Sequence, residues 1–371
     1  MKFVLASYGT RGDVEPSVAV GRELQRRGHE VRIAVSPNLV GFAESAGLAA
    51  VAYGLDTRAL VEAQRNYWTR LFRNFWEIQD LIKLWRENQE IVIQCWREMI
   101  TTLASLADGV DLLFTGLILE QPAANIAEYY NIPLATLHWF PVRAHGQLVP
   151  FLPAPLARSA MTVNDWLSWR VTKKVEDAQR GELGLPKTTG PSARRIAERG
   201  SLEIQAYDEV CFPGLAAEWS KWDGRRPFVG ALTMELPTDA DDEVASWIAA
   251  GTPPIFFGFG SMPVECPAEM VAMISAACAQ LGERALIWSG PNDFTHVPHA
   301  EHVNVVDTVG QGATFPLCRA IVHHGGAGTT AAGLRAGIPT LVLWNGLDQP
   351  VWADTVARLK VGLGRRFSES T

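Results

Sequence analysis

The stretch AIVHHGGAGTTAAGLRAG, residues 320–337, carries the most structural information in the chain. Its first residues, Ala320–His323, form a short apolar run that is typical of a buried strand. A Gly-Gly turn then leads into a helix that we predict over about Ala327–Ala336. Glycine lets a backbone approach a ligand closely, and a helix N-terminus presents N–H groups with a partial positive charge. This unit is therefore suited to hold an anion.

Side chains around the turn add donors that a phosphate would use. A histidine beside the turn can donate to a phosphate oxygen, and Thr329 and Thr330 add hydroxyl groups. The spacing is neither the GxGxxG of a dinucleotide site nor a P-loop, which needs Gly-Lys-Ser/Thr. The alternative is a tight turn without a ligand, although such a turn does not require two adjacent histidines and two threonines.

Outward from this unit, strand-like and helical runs alternate in two series. The first opens with a strand at Lys2–Ser7, a Gly-rich turn, and a helix that can begin at Pro16, where proline is tolerated. Such repetition predicts right-handed crossovers and parallel sheets covered on both faces. The other predicted strands are Glu30–Val35, 111–114, 133–138, 255–259, Ala285–Trp288, Val303–Val306 and Thr340–Trp344, and the other predicted helices are about 60–100, 164–183, Pro267–Leu281 and 349–359.

The predicted fold class is α/β, with two Rossmann-like domains whose parallel sheets face a central cleft. Turn-forming residues at Pro213-Gly214 and at 223–227 mark a seam between the two series. We therefore predict an N-terminal domain over 1–212, a linker over 213–230 and a C-terminal domain over 231–371.

Composition and charge exclude several classes of protein. A net charge of -7 and a pI near 5.7 argue against a general nucleic-acid binder, which needs basic residues along a groove. The five cysteines form no CxxC and suit reduced thiols. Neither a transmembrane run nor a signal peptide is visible. We expect a cytoplasmic protein, with room for peripheral contact with a membrane.

Two acidic positions lie at predicted strand ends, where open α/β sheets bind ligands. Asp348-Gln349 can accept from and donate to sugar hydroxyls, or Asp348 can cap the next helix. Asp13, in the first βα loop with Thr10 and Gly12, can take a proton from an attacking hydroxyl, or can equally cap its helix.

Other features carry weaker signals. Gly258, Gly260 and Ser261 repeat a strand-end loop and could touch a diphosphate. We interpret His296, His299 and His302 as loop histidines, because no carboxylates complete a metal site. The aromatic residues of the predicted helix are interpreted as core, with the lining of an apolar acceptor site as the alternative; they are Trp68, Phe72, Phe75, Trp76, Trp85 and Trp96.

Three motifs together resemble the GT-B glycosyltransferases of family 1: Phe257-Gly258-Phe259-Gly260-Ser261, the run from His323 to Thr330, and Asp348-Gln349-Pro350-Val351-Trp352-Ala353. The branch is that of antibiotic, sterol and mycobacterial glycolipid transferases, and the opening segment Lys2–Pro16 matches it too. Residues 202–207 and 212–219 are similar to transferases of the glycopeptidolipid type, which add rhamnose or 6-deoxytalose to lipopeptides. The resemblance runs almost from end to end.

The resemblance implies an inverting transfer in one displacement, with no cofactor and no metal at the diphosphate. It makes Asp13 the general base. It places the diphosphate on Ser261, His324, Gly326, Gly328 and Thr329, and the donor sugar on Asp348 and Gln349. Two departures stand out: Thr308, Gly310 and Gln311 replace an aromatic-Pro-His motif before the turn, and the family's last crossover helix is absent before Thr371.

The predicted function is transfer of a hexose or deoxyhexose from a TDP- or UDP-sugar to a hydroxyl of a hydrophobic acceptor such as a glycolipid or lipopeptide. The expected partners are a nucleotide sugar and an apolar, lipid-like acceptor, with no nucleic acid. Two alternatives stay open: a nucleotide-sugar epimerase of the same fold, and a nucleotide-sugar-binding fragment without catalysis. A nicotinamide-linked dehydrogenase is disfavoured, since neither half has GxGxxG followed by an acidic residue.

Overall fold

The chain folds into two compact units, Met1–Leu232 and Thr233–Thr371. This computed structural model describes residues 1–58, 78–147, 153–222, 224–234, 238, 240–260, 264, 266–290, 294, 296–346 and 348–369. Each unit has a six-stranded parallel sheet among these residues. The predicted α/β class with parallel sheets is confirmed.

The first unit contains the sheet with strand order β3-β2-β1-β4-β5-β6. Its strands are β1 (Lys2–Ser7), β2 (Glu30–Val35), β3 (Ala49–Ala52), β4 (Leu112–Gly116), β5 (Leu134–His138) and β6 (Leu202–Gln205). Its helices among the described residues are α1 (Arg11–Arg26), α2 (Val40–Ser45), α3 (Ile78–Leu106), α4 (Glu120–Tyr129), α5 (Ala154–Glu182), α6 (Ser192–Glu198) and α7 (Leu215–Trp219).

The second unit repeats this plan, with strand order β12-β11-β10-β7-β8-β9. Its strands are β7 (Ile255–Gly258), β8 (Ala285–Trp288), β9 (Val303–Val306), β10 (Ala320–His323), β11 (Thr340–Trp344) and β12 (Gly362–Arg366). Its helices in the described part are α8 (Asp241–Ala249), α9 (Pro267–Leu281), α10 (Gln311–Thr314), α11 (Ala327–Ala336) and α12 (Gln349–Arg358). The strand order reverses beside β1 in one sheet and beside β7 in the other, and ligands bind at such points, outside the carboxyl ends of the strands.

Both faces of each sheet are covered by apolar side chains. In the second unit, Phe256 and Leu286 pack with Phe315 on one face, whereas Ile287 packs with Phe294 on the other. Alternate residues of a strand point to opposite faces, so short runs such as Ala285–Trp288 must be apolar throughout. Among the described residues, no helix is long and apolar enough to cross a membrane.

The central strands lie where the sequence predicts them, but three edge or near-edge strands were missed. These are β3 (AAVA), β6 (LEIQ) and β12 (GLGRR). Residues of β3 and β12 are largely exposed, so they lack the continuous apolar run of a buried strand. Pairing with β2 and β11 makes them strands, and that pairing is a tertiary contact.

Two helix starts also differ from the prediction. Helix α1 begins at Arg11, not at Pro16, because Thr10 and Asp13 form a capping box that satisfies the first N–H groups. Pro16 therefore lies inside the helix. Helix α5 begins at Ala154, ten residues before the predicted 164, immediately after Pro153. Of the predicted helix over 60–100, the described part begins at Ile78 and reaches Leu106.

Trp96 is fully buried and its indole N–H donates to Gln179 Oε1 at 2.9 Å, which supports the core interpretation for this residue. Trp68, Phe72, Phe75 and Trp76 lie outside the described residues, as does the side chain of Trp85.

Residues 213–230, interpreted from sequence as a linker, are part of the first unit. They include α7, and their last residues hydrogen-bond to β6: Gln205 N donates to Pro227 O at 2.9 Å and Val229 N to Gln205 O at 3.0 Å. The guanidinium of Arg226 also lies over the ring of Trp222, 4.1 Å from its centroid. The segment is thus held by backbone bonds and by a stacked cation, and the division between compact units falls after Leu232.

A buried ionic network joins this segment to β6 and to the loop after β5. Glu203 of β6 accepts from Arg226 Nε and Nη2 at 3.0 and 2.9 Å and from Arg143. Arg143 also donates to Glu120, 3.0 Å from Nη1 to Oε2, and Glu120 Oε1 lies 2.6 Å from His138 Nε2. Burial alone would raise the pKa of Glu120, but Arg143 and His138 lower it to about 2. The network thus keeps Glu120 charged inside the protein.

Replacing Glu203 by Gln should destabilise the first unit strongly. The variant leaves two buried guanidinium groups short of one negative charge, a loss that costs about 3–5 kcal/mol when one partner of a buried pair is removed. Urea unfolding followed by circular dichroism measures the change in free energy. The matched control is Glu198→Gln in the exposed pair Arg194–Glu198, which should change little. Equal stability of the two variants would show that the network contributes nothing.

Candidate functional site

The turn after β10 is built around two histidines, one fully buried and one half-buried. His323 is fully buried, and its Nδ1 accepts from Gly325 N at 3.0 Å, which fixes the neutral tautomer with the proton on Nε2. Gly325 has a φ of 91°, a conformation that favours glycine. A Cβ at this position would lie 2.7 Å from Val342 Cγ1, so the turn is packed against β11.

His324 fills the space between two glycines. A Cβ on Gly326 would lie 2.6 Å from His324 Nε2, and a Cβ on Gly260 would lie 2.7 Å from the same atom. Gly260 follows β7 with a φ of 59°, and β7 pairs with β10 in parallel. The loops after both strands therefore meet at the imidazole, at the point where the strand order reverses. This site requires glycine at both positions.

Both histidines are neutral at physiological pH. Burial and the neighbouring His324 lower the pKa of His323 to about 3. Burial also lowers the pKa of His324 to about 4, although the carbonyl of Gly258 favours its protonated form. At neutral pH the His324 imidazole therefore carries one N–H and no formal charge.

Helix α11 begins next to this imidazole. Gly326 is its N-cap residue, so no capping side chain covers the first N–H groups, which have no partner within a helix. A Cβ on Gly328 would meet no atom within 4 Å, so space is open beside the first turn. The two threonines differ in role. Thr330 is buried and donates to Gly326 O at 2.9 Å, whereas Thr329 is half-buried and its Oγ1 lies 3.4 Å from Gln311 Nε2.

The start of α12 lies against the same turn. A Cβ on Gly325 would be 3.1 Å from Gln349 Cβ, so the predicted sugar-binding residue and the predicted phosphate turn are neighbours. Gln349 Oε1 accepts from Asn345 N and Gly346 N at 2.8 and 3.3 Å and so closes the loop after β11.

Asp348 stands at the N-cap position of α12, but its side chain makes no capping bond. Its carboxylate instead accepts from Trp352 Nε1 at 3.1 Å, and burial raises its pKa. The cap interpretation of this side chain is therefore wrong, and the structure brings Asp348 to the same edge of the sheet as His324.

Sequence reasoning overlooked an aromatic side chain at this edge. Trp288 ends β8, is half-buried, and donates from Nε1 to Asp307 O at 2.8 Å. Its ring lies beside Gly258 and Gly290, where added Cβ atoms would be 3.4 Å away. Since β7 and β8 pair so that Gly258 faces Trp288, the indole borders the point of reversal. The signal for it in the sequence is its position at the end of the predicted strand Ala285–Trp288.

Some predicted residues lie elsewhere. Ser261 is outside the described residues. His296 and His299 are exposed, in agreement with their interpretation as loop histidines, whereas His302 is half-buried and its Nε2 lies 3.0 Å from Ser275 O. Gly310 N donates to Asp241 Oδ1 at 2.9 Å, which joins the loop after β9 to α8.

Asp13, Thr10 and Gly12 occur together in the first unit, in the turn between β1 and α1. Asp13 Oδ2 accepts from Thr10 N at 2.6 Å and from Thr10 Oγ1 at 2.9 Å, so the carboxylate closes the capping box. Ser7 Oγ donates to Asp13 O at 3.0 Å. Asp13 is half-buried and Gly12 is exposed. Asp13 therefore caps helix α1, and its role as a general base stays a hypothesis.

Comparisons with known proteins agree with this architecture. Residues 3–146 match the glycosyltransferase family 28 N-terminal domain, and residues 286–371 match the erythromycin biosynthesis protein CIII-like C-terminal domain. An uncharacterized glycosyltransferase of Mycobacterium tuberculosis is 63% identical over 100% of this chain and 88% of its own length. A sterol 3-beta-glucosyltransferase of Arabidopsis thaliana is 30% identical over 98% of this chain and 57% of its own length.

Solved structures show the same fold. The glycotransferase of kitacinnamycin superposes with a TM-score of 0.69 at 19% identity, over 99% of this chain and 86% of the other. A Streptomyces glycosyltransferase complexed with thymidine diphosphate gives a TM-score of 0.62 at 19% identity, over 98% and 87% of the two chains. With its two parallel sheets, its family matches and these relatives, the chain belongs to the GT-B glycosyltransferases that combine a family 28 N-terminal domain with an erythromycin CIII-like C-terminal domain.

Proposed function

We propose that this protein transfers a hexose or deoxyhexose from a TDP- or UDP-sugar, with inversion, to a hydroxyl of a hydrophobic acceptor. The observation that carries the proposal is the position of His324. Its neutral imidazole is held between Gly260 and Gly326 beside the start of α11, where the strand order of the second sheet reverses.

In this proposal the diphosphate lies on the first turn of α11. The N–H groups of Gly328 and Thr329 point along the helix axis toward the ligand, and His324 donates a further hydrogen bond. The positive end of the helix dipole stabilises the charge that develops on the departing nucleoside diphosphate. These donors would supply the stabilisation that a divalent cation supplies in other transferases. The TDP complex of the Streptomyces relative supports a nucleotide of this class.

The sugar would be held by Asp348 and Gln349, which follow β11 at the same edge. Because the Gln349 carbonyl oxygen already accepts two backbone N–H groups, its amide would contribute N–H donors to sugar hydroxyl groups. The Asp348 carboxylate is oriented by Trp352 and would accept from a hydroxyl. Trp288 would offer an aromatic surface to the nucleobase of the donor, in place of the aromatic residue that is missing before the turn.

Asp13 is proposed as the general base. In one displacement, the acceptor oxygen forms a bond to the anomeric carbon, the bond from that carbon to the diphosphate oxygen breaks, and the hydroxyl proton passes to Asp13. Thr10 would position the carboxylate, and its two hydrogen bonds favour the ionised form that a base requires. The acceptor class is inferred from the sterol glucosyltransferase relative.

Asp13→Asn should abolish transfer while donor binding persists. Asn retains an oxygen that can accept from Thr10, so the start of α1 is preserved, but it cannot take a proton. General-base catalysis contributes about 10²–10⁴-fold, and kcat should fall by that factor. Transfer from TDP- and UDP-sugars to a panel of sterols and hydroxylated lipids is followed by mass spectrometry, with Thr10→Ser as the control. Wild-type turnover by Asp13→Asn would exclude Asp13 as the base.

Two controls separate the alternative functions. A new sugar formed from donor alone, detected by NMR, would indicate an epimerase. Donor binding by calorimetry without product from any acceptor would indicate a binding protein that lacks catalysis.

Gly328→Asp should abolish nucleotide binding without unfolding the protein. The added side chain meets open space, and a carboxylate in the first turn of a helix is favourable, so the unliganded Tm should be unchanged or slightly higher. The same charge repels a diphosphate at that place. A thermal-shift series with TDP and UDP measures both effects, because a ligand that binds the native state raises Tm. Gly41→Asp, in the first turn of α2, is the control, because a side chain added there also meets open space. A full TDP shift in Gly328→Asp would exclude this turn as the diphosphate site.

The neutrality of His323 and His324 predicts an acid-sensitive second unit. Their folded-state pKa values of about 3 and 4 lie below the usual 6.5, so the unfolded chain binds protons that the folded chain does not. Stability is therefore fully present above pH 6.5 and declines as the pH falls toward about 4. Each histidine contributes a slope of up to about 1.4 kcal/mol per pH unit. Urea unfolding between pH 7 and 4.5 should give a smaller slope for His324→Gln than for the exposed control His299→Gln. Equal slopes would contradict a neutral, buried His324.

A further inference from the structure

Helix α5 of the first unit has an inverted distribution of polar and apolar residues. On a helix that covers a sheet, the apolar stripe normally faces the core and the polar residues face water. In α5 Trp169 is buried, but five other large apolar side chains point outward: Leu156, Val163, Trp166, Leu167 and Val171 are between 47% and 58% exposed. Steps of seven and four residues place Leu156, Val163, Leu167 and Val171 along one line of the helix. We call these five residues the outer stripe.

Toward the C-terminal end of α5 the inner face is instead polar, and several of its side chains form hydrogen bonds with other elements. Arg180 Nη1 donates to Glu128 Oε2 at 2.8 Å, and Glu176 Oε1 accepts from Arg195 Nη2 at 2.5 Å. Gln179 accepts from the indole of Trp96 at 2.9 Å. These contacts fix the rotation of the helix, so the outer stripe cannot turn inward without breaking them. The outward position of the stripe is therefore fixed by the fold.

The charges beside the outer stripe are all positive. The exposed ionisable residues between Leu156 and Lys174 are Arg158, which pairs with Glu218, and then Arg170 and Lys174 beside the stripe. Neither Arg170 nor Lys174 forms an ion pair with a described residue, and the guanidinium of Arg170 lies over the Trp166 ring, 5.2 Å from its centroid. Asp165 lies on the inner side, where burial raises its pKa. An apolar stripe with a tryptophan and unpaired basic groups matches a membrane interface with anionic headgroups.

We propose that the outer stripe of α5, with Arg170 and Lys174, is a docking face for the surface of an anionic lipid bilayer. The apolar side chains enter the boundary between headgroups and acyl chains, Trp166 lies at the headgroup level, and the two cations contact lipid phosphates. A second copy of this chain fits the face less well. In a symmetric contact the same face of the second copy would bring Arg170 and Lys174 against like charges, and five half-exposed side chains supply less than the roughly 800 Å² per partner of a stable interface.

The position of α5 also relates the docking face to the carboxyl edge of the first sheet. The helix follows the loop after β5, and that loop contacts its inner face: His145 N lies 3.5 Å from Met161 Sδ. Because β1 and β5 run parallel, the turn that carries Asp13 is at the same edge of the sheet. A bilayer against α5 would keep this edge near lipid-like molecules. The docking itself does not depend on the proposed transferase function.

Co-sedimentation of the full chain with phosphatidylcholine vesicles and with vesicles containing 30% phosphatidylglycerol tests the proposal. We expect binding to the anionic vesicles that weakens with added salt. Val163→Ser/Leu167→Ser should bind at least about tenfold more weakly, since two apolar side chains that enter the bilayer are lost. Leu281→Ser, at an exposed leucine of α9, is the matched control and should bind like the wild type.

A charge variant provides the second arm. Arg170→Glu/Lys174→Glu should bind anionic vesicles at least about tenfold more weakly, whereas Arg22→Glu/Lys187→Glu, with the same change in net charge at exposed sites elsewhere in the unit, should not. Circular dichroism and the TDP thermal shift check that each variant is folded and retains its donor site. If Val163→Ser/Leu167→Ser does not fold, the comparison between the two charge variants tests the proposal. Absence of wild-type binding to anionic vesicles would overturn the proposal, as would a dimer in sedimentation velocity that the serine variant dissociates.

Discussion

The close contact between the backbone and the His324 imidazole is the constraint on which the candidate site of the second unit depends. Gly260 and Gly326 leave no room for a Cβ beside the ring, and Gly325 leaves none against Val342 and Gln349. The loops after β7, β10 and β11 can therefore converge at a single place, and the first turn of α11 opens next to it. Burial keeps the imidazole neutral, so the site offers directed N–H groups and a helix dipole to an anion.

The first unit achieves rigidity by different means. Its carboxyl edge is fixed by the buried charges of Glu203, Arg143 and Glu120, each held by hydrogen bonds, and by the capping box of Thr10 and Asp13. Such networks add little net stability compared with apolar packing, but they set one geometry for the loops they join. The polar side chains on the inner face of α5 are likewise fixed by hydrogen bonds. For this reason the helix presents apolar side chains to its surroundings.

Much of the fold could be predicted from the sequence because central parallel strands are buried on both faces. The runs at Lys2–Ser7, Ala320–His323 and Thr340–Trp344 are apolar throughout and match the observed strands. Edge strands and helix starts could not be predicted in this way, because neither depends on a buried apolar run. Gly362–Arg366 is a strand through its pairing with β11, and α1 starts early because Thr10 and Asp13 form a capping box at its first turn.

The sequence by itself determined the alternation of strands and helices, the Gly-rich turn at a strand end, and the residue types that a diphosphate and a sugar would need, since these follow from local periodicity and from glycine conformations. Tertiary structure decided which of those residues meet. It packs Gln349 against Gly325, and it directs the Asp348 carboxylate to the indole N–H of Trp352. The Thr330 hydroxyl bonds to the backbone of Gly326, whereas the Thr329 hydroxyl lies near Gln311. Tertiary structure also decided which side of α5 faces outward. Such choices depend on packing between segments far apart in the chain, and no local pattern records them.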